Sequence, residues 1–270
     1  MKVWILLRGL TRDSRHWDEF PRALGVAVDA ADVVTLDLPG NGTLHGERSP
    51  ASVDGMVDAY RAALCARGLA PPYAVLALSL GAMVALAWAT RFPQELSGLV
   101  LINTSTAATS RWHERLRWQS LPRLLAVALS RRPERQEQAI LALTSRRPPV
   151  ERNALLGPWT RWRCEQPVTT ANLVRQLWAA ARFRAPERKP DVAMLLLASL
   201  GDELVDPRCS QQLARRWNVE LRLHPSAGHD LPLDAADWVI AQVAEWHATS
   251  RGRGRSVSVG RQPSRRKCRR

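Results

Sequence analysis

One serine separates two apolar runs of different length. Ser79 stands between the strand-sized run Tyr73–Leu78 and the helix-sized run Leu80–Arg91. A strand-to-helix turn pushes its middle side chain outward, where a hydroxyl can attack a carbonyl carbon, and it needs small residues two positions before and after. Ala77 and Gly81 occupy those positions. The helix start also offers N–H groups to a developing oxyanion, so the pattern indicates nucleophilic catalysis.

The elements that would position this serine alternate between short apolar runs and amphipathic runs. Strands are expected at Lys2–Leu10, Asp32–Leu38, Tyr73–Leu78, Leu96–Asn103, Val192–Leu200 and Val219–His224. Helices are expected at Val53–Ala66, Leu80–Arg91, Pro207–Trp217 and Ala235–His247. The strands are almost continuously hydrophobic, which is typical of a parallel sheet buried on both faces. The alternation therefore predicts an α/β fold, in which ligands bind at the carboxyl ends of the strands.

The interval 110–188 contains no strand-sized apolar run. Its arginine-rich amphipathic stretches are interrupted by Pro133, Pro148, Pro149, Pro158 and Pro167. This pattern predicts several short helices joined by kinks. Five of the eleven tryptophans lie here: Trp112, Trp118, Trp159, Trp162 and Trp178. The segment is either a small second core or a lid that lines an apolar pocket.

These features resemble the α/β-hydrolase fold from Lys2 to about His247. The nucleophile elbow of that family is Gly-x-Ser-x-Gly, and here alanine takes the first small position. The turn Asp37-Leu38-Pro39-Gly40-Asn41-Gly42 matches the family's Asp-x-Pro-Gly-x-Gly, with an architectural role. Ser199-Leu200-Gly201 contains the same Ser-x-Gly letters but lacks a following apolar helix. The resemblance implies a mostly parallel central sheet flanked by helices, with a helical cap inserted before the acid-bearing strand.

The resemblance also implies the partners of Ser79. The family order is serine, acid after a later strand, and histidine near the end. The turn Gly201-Asp202-Glu203-Leu204-Val205 matches the family's acid turn, and Ala227-Gly228-His229-Asp230 matches its terminal Gly-His. Asp202 would then orient His229, which takes the proton from the serine.

Glu203 and Asp206 are rival acids in the same loop, although Asp206 fits better as the N-cap of the next helix. The other five histidines match no motif position with a catalytic role and are interpreted as structural or surface residues: His16, His45, His113, His224 and His247.

The second oxyanion donor of the family comes from a His-Gly loop after the first strand. This chain has Arg8-Gly9-Leu10 there, so the N–H of Leu10 would join that of Leu80. Arg8 takes the place of the family's histidine. Two interpretations of Arg8 are open: a structural ion pair, for example with Asp37, or attraction of anionic substrates.

The cap of the family is inserted where 110–188 falls. The implied division is 1–109 and 189–248 for the two parts of the core, 110–188 for the cap and 249–270 for a basic tail. Four of its tryptophans would contact the apolar acyl part of a substrate: Trp112, Trp118, Trp159 and Trp162.

The resemblance implies a serine hydrolase that cleaves a small-molecule carboxylic ester by two-step acyl transfer. Within that family, the sequence is similar to small capped esterases such as the pimeloyl-ester carboxylesterases. The resemblance implies no metal or organic cofactor. Serine at position 79 argues against haloalkane dehalogenases and epoxide hydrolases of this fold, which use aspartate there. Thioesterase, lactonase, carbon–carbon bond hydrolase and acyltransferase activities share the triad. A non-catalytic binding protein is the alternative from another class.

The composition is that of an ordinary globular protein, with 46% hydrophobic and 24% charged residues. Nine positive charges of the net +14 lie in 251–270, which leaves +5 on the rest. That segment is expected to be disordered, and no nucleic-acid recognition motif accompanies its charge.

The apolar runs of the sequence are too short for a signal peptide or a membrane span. The four cysteines, Cys65, Cys164, Cys209 and Cys268, form no metal or redox spacing, which favours reduced thiols and a cytoplasmic location.

Overall fold

The computed structural model describes residues 3–256, which fold around a six-stranded parallel sheet. The strands are β1 (Val3–Leu7), β2 (Asp32–Leu36), β3 (Tyr73–Leu78), β4 (Leu96–Ile102), β5 (Met194–Ser199) and β6 (Glu220–His224). Their order across the sheet is β2-β1-β3-β4-β5-β6, and each neighbouring pair is parallel. The predicted α/β architecture is therefore confirmed, with all six predicted strands present.

Helices cover both faces of the sheet. They are α1 (Phe20–Ala27), α2 (Val53–Ala66), α3 (Leu80–Arg91), α9 (Arg208–Trp217), α10 (Leu231–Asp234) and α11 (Ala236–Ser256), and α4 to α8 lie between β4 and β5. Because successive strand side chains point to opposite faces, β1 contributes to two cores. Ile5 and Leu7 belong to the core that also contains residues of α2, α3 and α9, while Trp4 and Leu6 belong to the core that contains residues of α1 and α11. The strands are thus fixed on both sides, and their carboxyl ends form a rigid platform.

The chain between β4 and β5 is helical, as predicted. Its helices are α4 (Trp112–Arg115), α5 (Leu121–Leu129), α6 (Pro133–Thr144), α7 (Pro149–Glu165) and α8 (Thr170–Arg182). Pro133 and Pro149 start α6 and α7, where the missing N–H of proline has no intrahelical partner to lose. Pro158 lies inside α7 and does not end it, contrary to the expectation of a break. The helices α5, α6 and α7 pack against one another in sequence order.

Several element boundaries differ from the predicted ones. β1 ends at Leu7 instead of Leu10, because the chain leaves the sheet there to approach Ser79. α1 was not predicted at all. α9 begins one residue later than expected, at Arg208. The tail expected to be disordered from 249 is helical through Ser256, since extending a formed helix needs no new nucleus. The rest of that prediction, 257–270, lies outside the described residues.

The surface features that bear on partners are few. Within residues 3–256, no helix is both long and apolar enough to cross a membrane. The same part of the chain holds no cluster of three or more potential metal ligands among its histidines, cysteines and acids. Cys65, Cys164 and Cys209 are free thiols, while Cys268 lies outside the described residues.

Candidate active site

Ser79 occupies a strained turn between β3 and α3. Its backbone has φ 57° and ψ −115°, a left-handed conformation that is rare for residues other than glycine. The Ser79 N–H donates to the carbonyl oxygen of Ile102 at 2.9 Å, which fixes the turn to the end of β4. A Cβ on Gly81 would lie 2.6 Å from the carbonyl oxygens of both Leu7 and Arg8. Only glycine fits there, as the elbow pattern required.

The loop after β1 approaches the serine closely. A Cβ on Gly9 would lie 3.2 Å from Cβ of Ser79 and 3.7 Å from its Oγ. In the described part of the chain, the backbone N–H groups of Leu10 and Leu80 donate to no acceptor. The next N–H, that of Thr11, donates to Oε1 of Gln176 on α8 at 3.1 Å. Two unused backbone donors therefore belong to the two segments that meet at the serine.

The structure brings Asp202 and His229 together. Nδ1 of His229 lies 2.7 Å from Oδ2 of Asp202, and both residues are buried. The second carboxylate oxygen, Oδ1, accepts hydrogen bonds from the N–H groups of Leu204 at 2.8 Å and Val205 at 2.9 Å. These bonds fix the carboxylate, which in turn fixes the plane of the imidazole. Oriented in this way, the ring leaves Nε2 as the nitrogen able to accept a proton.

Asn103, directly after β4, links the end of that strand to the His229 loop. It has φ 46°, and its side-chain amide donates to the carbonyl oxygen of His229 at 2.8 Å. Its Oδ1 accepts the N–H of Ser199 at 3.0 Å, at the end of β5. The neighbouring Thr104 hydroxyl donates to the carbonyl oxygen of Ser79 at 3.4 Å. The sequence analysis missed this role, although a polar residue at the carboxyl end of a buried strand was a usable signal.

The surroundings of His229 raise its pKa above the ordinary value. Burial alone would lower it, but the charge and hydrogen bond of Asp202 outweigh burial, and the charge of Asp230 adds to their effect. The charge of Arg8 acts in the opposite direction. Among the described residues, neither Nε2 of His229 nor Oγ of Ser79 makes a hydrogen bond. Such contacts often tighten only when substrate is bound.

Arg8 forms an ion pair, but with a different partner from the one suggested. Its Nη1 and Nη2 donate to Oδ1 and Oδ2 of Asp230 at 3.1 and 2.5 Å. Asp37 instead accepts the N–H groups of Ser14 at 2.7 Å and Thr43 at 2.9 Å, so it joins the segment after β1 to its own loop after β2. The suggested Arg8–Asp37 pair is therefore wrong. Because a carboxylate already occupies the Arg8 fork, the structure gives no support to attraction of anionic substrates by this residue.

The rival acids are engaged elsewhere. Glu203 pairs with Arg123 at 2.8 Å and with Arg146 at 2.6 Å. Asp206 accepts the N–H of Arg208, the first residue of α9, at 2.9 Å. This matches the helix-start role expected for Asp206, one residue further from the helix than a true N-cap. Neither carboxylate makes a hydrogen bond or ion pair with the His229 imidazole.

The four predicted substrate-binding tryptophans do not form one wall. Trp112 and Trp118 have 73% and 63% of their surface exposed. Trp159 is buried and stacks with the half-buried Trp162 at 6.4 Å between ring centroids. This second pair contacts the loop after β1, where the Trp159 ring lies 4.7 Å from that of His16. A role of these rings in substrate binding stays a prediction.

A buried ionic cluster joins that loop to the helical segment. Arg12 pairs with Glu137 of α6 at 2.8 Å, and Arg163 of α7 pairs with the same carboxylate at 2.6 Å. His16 bridges Arg12 at 3.2 Å and Asp13 at 3.1 Å. Burial and the charge of Arg12 lower the pKa of His16 to about 4. The prediction of a structural role for His16 agrees with these contacts.

Comparison with known proteins gives the family. The model of the "Alpha/beta hydrolase family" matches residues 4–242, and no curated protein sequence matched the chain. Among solved structures, the enol-lactonase of Burkholderia xenovorans LB400 is 17% identical, with TM-score 0.74 and coverage of 91% of this chain and 90% of that one. A hydrolase of Pseudomonas aeruginosa PA01 is 18% identical, with TM-score 0.71 and coverage of 91% and 89%. A thermophilic esterase of Thermogutta terrifontis is 20% identical, with TM-score 0.65 and coverage of 93% and 90%. These structures share the fold, and the family match covers most of the sequence: the chain belongs to the alpha/beta hydrolase family.

Proposed function

We propose that the protein is a serine hydrolase that cleaves a carboxylic ester of a small molecule by two-step acyl transfer. The observation that carries the proposal is the strained Ser79 turn at the same edge of the sheet as the buried Asp202–His229 pair. Membership in the alpha/beta hydrolase family supports hydrolysis. Family alone does not guarantee activity, so the proposal depends on the geometry of these three side chains.

In the first step, Oγ of Ser79 attacks the ester carbonyl carbon while Nε2 of His229 takes its proton. Asp202 keeps the imidazole in the tautomer with a proton on Nδ1 and stabilises the imidazolium that forms. The imidazolium then gives its proton to the leaving alcohol, and an acyl-serine remains. In the second step, a water attacks the acyl carbon while His229 accepts its proton. The imidazolium then returns that proton to Oγ of Ser79 as the bond to the serine breaks, which releases the carboxylic acid and restores the free enzyme.

The oxyanion of each tetrahedral intermediate would be held by the N–H groups of Leu10 and Leu80. Both donors are unused within the described residues, and each adjoins the nucleophile from a different segment. Preorganised backbone donors of this kind stabilise a developing charge without reorganising during the reaction, and losing one donor typically costs about 10²–10³ in kcat.

The proposal includes a cap formed by residues 110–188. This segment contacts the loop of Asp202: Arg117 donates to the carbonyl oxygen of Asp202 at 2.8 Å, and Nε of Arg146 donates to that of Gly201 at 3.2 Å. It also contacts the loop of His229, where the Asp230 N–H donates to the carbonyl oxygen of Thr144 at 2.8 Å. Asp234, next to the histidine loop, accepts the N–H of Arg146 at 2.7 Å. A cap seated in this way favours medium-sized apolar acyl groups, for which the rates of acetyl to decanoyl esters should pass through a maximum.

The same triad can open a thioester or a lactone, or pass the acyl group to an alcohol. A panel of aryl esters, acyl thioesters and lactones distinguishes these activities, because each product is measured separately. The free surface thiols of Cys65 and Cys164 suit a reducing compartment, so the proposal includes a cytoplasmic location.

The test is labelling with a fluorophosphonate, which phosphonylates activated serines, followed by peptide mass spectrometry. We expect modification of Ser79 in the native protein. Labelling should be lost in the S79A and H229A variants, because the first lacks the nucleophile and the second lacks the base.

The matched control is Ser226→Ala. Ser226 is exposed to the reagent, but the neighbouring His224 ring accepts its backbone N–H and not its hydroxyl, so this variant should label like the native protein. Labelling that persists in H229A would show that the serine is not activated by that histidine. A folded native protein that does not label would make a non-catalytic binding protein the better interpretation.

A further inference from the structure

We propose that Arg8 and Asp230 form a positioning ion pair, which fixes the oxyanion loop against the loop of the catalytic histidine. The inference rests on the proposed function and adds to it a pair of residues that touches no substrate. Asp230 directly follows His229, and Arg8 lies two residues before Leu10. The pair therefore connects the segment with the base to the segment with a proposed oxyanion donor, across 222 residues of sequence.

The geometry of the pair is a two-pronged fork. Both terminal nitrogens of Arg8 donate to separate oxygens of Asp230, at 3.1 and 2.5 Å. The side chains are 2% and 6% exposed, and the ring of Trp17 lies 4.7 Å from the guanidinium carbon of Arg8. A bidentate arginine–carboxylate pair fixes direction as well as distance, and the stacked ring prevents the fork from swinging.

Both ends of the pair are anchored in rigid structure. Arg8 follows the last residue of β1, and its carbonyl oxygen lies against Gly81 at the start of α3. The Asp230 N–H donates to the carbonyl oxygen of Thr144 at 2.8 Å, and its own carbonyl oxygen accepts from Leu233 at 3.0 Å. The fork is therefore the short connection between two segments that are each already fixed.

Stability alone does not account for this pair. A buried ion pair contributes little net stability, because the loss of hydration offsets the attraction, and well-packed apolar residues do as well or better. The Nε of Arg8 is also buried without an acceptor among the described residues, which costs further stability. What apolar residues could not supply is a fixed distance and angle between the two loops, and catalysis is sensitive to displacements of about 1 Å.

The pair also places two opposite charges beside the imidazole. The charged groups that act on His229 are Asp202 from the loop after β5, Asp230 from its own loop and Arg8 from the loop after β1. Arg12 acts on Asp230 as well. Removing one member of the pair leaves the other unbalanced, so the two single variants should move the histidine titration in opposite directions.

The test compares R8K, R8Q, D230N and the double variant R8Q/D230N. Lysine keeps the charge and loses the fork, whereas the double variant removes both charges and keeps a neutral hydrogen-bonding pair. The kinetics use an aryl ester that the native protein hydrolyses, and histidine-selective NMR titrates the His229 ring without requiring turnover. Fluorophosphonate labelling of the native protein reports the proposed function separately.

The expected results separate geometry from charge. R8K should lower kcat by about 10-fold or more with a smaller change in KM, while the His229 titration stays in place. D230N leaves an extra positive charge and should move the titration to lower pH; R8Q leaves an extra negative charge and should move it to higher pH. The double variant R8Q/D230N should return the His229 titration to near its native position. This result can be measured even if R8Q or D230N alone folds poorly.

The matched control is Arg61→Lys. Arg61 makes a similar two-pronged pair with Glu95, at 2.9 and 2.6 Å, at the opposite end of the sheet, and this variant should keep the native kcat. A folded R8K with native kcat would overturn the positioning role, as would single variants that shift the titration in the same direction. If the native protein fails to label at Ser79, the proposed function fails and the positioning role with it.

Discussion

His16 makes the stability of the protein depend on pH in a range where few other groups titrate. Its ring is buried between Trp159 and Trp162, with ring centroids 4.7 and 5.3 Å away. Burial and the neighbouring charge of Arg12 lower its pKa from 6.5 to about 4, although Asp13 acts in the opposite direction. The folded protein therefore takes up the proton at lower pH than the unfolded chain does.

The direction and size of the effect follow from that difference. Above pH 6.5 both states are neutral at His16 and its contribution to stability is complete. As the pH falls from 6.5 towards 4, the unfolded chain is protonated first and is favoured. Between pH 7 and pH 5, this one group should lower the free energy of unfolding by about 2 kcal/mol.

Other shifted groups act in other ranges. The pKa of Glu137 is lowered because the charges of Arg12 and Arg163 outweigh the effect of burial, and that of Asp13 is lowered in a similar way by His16 and Arg15. The contributions of these carboxylates are lost only below their unfolded pKa values, near pH 4. The pKa of His229 is raised, so its contribution is complete below 6.5 and is lost as the pH rises through its folded pKa.

The assay is urea unfolding followed by tryptophan fluorescence at pH 7 and pH 5, for the native protein and H16Q. Glutamine can keep one donor and one acceptor in the site but does not titrate. We expect H16Q to lose about 2 kcal/mol less than the native protein between the two pH values. Equal pH dependence in the native protein and H16Q would refute the assignment of the effect to His16.

Three further substitutions test particular contacts. Gly81→Ala should destabilise the fold by several kcal/mol and abolish fluorophosphonate labelling, because the added Cβ would lie 2.6 Å from two backbone carbonyl oxygens. Its control is Gly157→Ala, where the added Cβ has no heavy atom within 4 Å, so this variant should unfold at the same or a higher urea concentration. Asp202→Asn should lower kcat by about 10⁴-fold on an ester that the native protein hydrolyses, without loss of stability, because the amide favours the wrong tautomer of the His229 ring. Glu203→Gln, the control in the same loop, should keep the native kcat. Glu137→Gln should lower the free energy of unfolding by about 3–5 kcal/mol in urea titrations, because two arginines lose their shared buried carboxylate.

The fold could be predicted from local hydrophobic patterns, because burial of a strand on both faces or of a helix on one face produces each pattern. The apolar run at Tyr73–Leu78 is buried on both faces in a parallel sheet, and the predicted bounds of that strand, of α2 and of α3 are those observed. Boundaries were wrong where tertiary contacts end an element. β1 stops at Leu7 because the chain must turn towards Ser79, whereas the strand was expected to continue through Arg8 and Gly9 to Leu10.

The side-chain partners of the site could not be predicted from spacing. Asp37 and Asp230 were equally available to Arg8 in the sequence, and only the fold shows that the histidine loop lies beside the end of β1. Asn103 was missed for a similar reason. Its φ of 46° and its bond to the His229 carbonyl depend on β4 lying between β3 and β5, which is a property of the strand order.

The strand order also explains why the polar residues of the site are so interdependent. β1, β3, β4 and β5 are neighbours, so Arg8, Ser79, Asn103 and Asp202 all follow strands that end at one edge. The histidine loop comes from outside this group, after β6 at the margin of the sheet, and its position is not fixed by strand pairing. Three contacts supply that position instead: Asn103 donates to the His229 carbonyl oxygen, the Asp202 carboxylate accepts from the His229 ring, and Arg8 donates to Asp230. The proposed base His229 is thus held by polar contacts at three different strand ends, and loss of any one should affect kcat more than the stability of the fold.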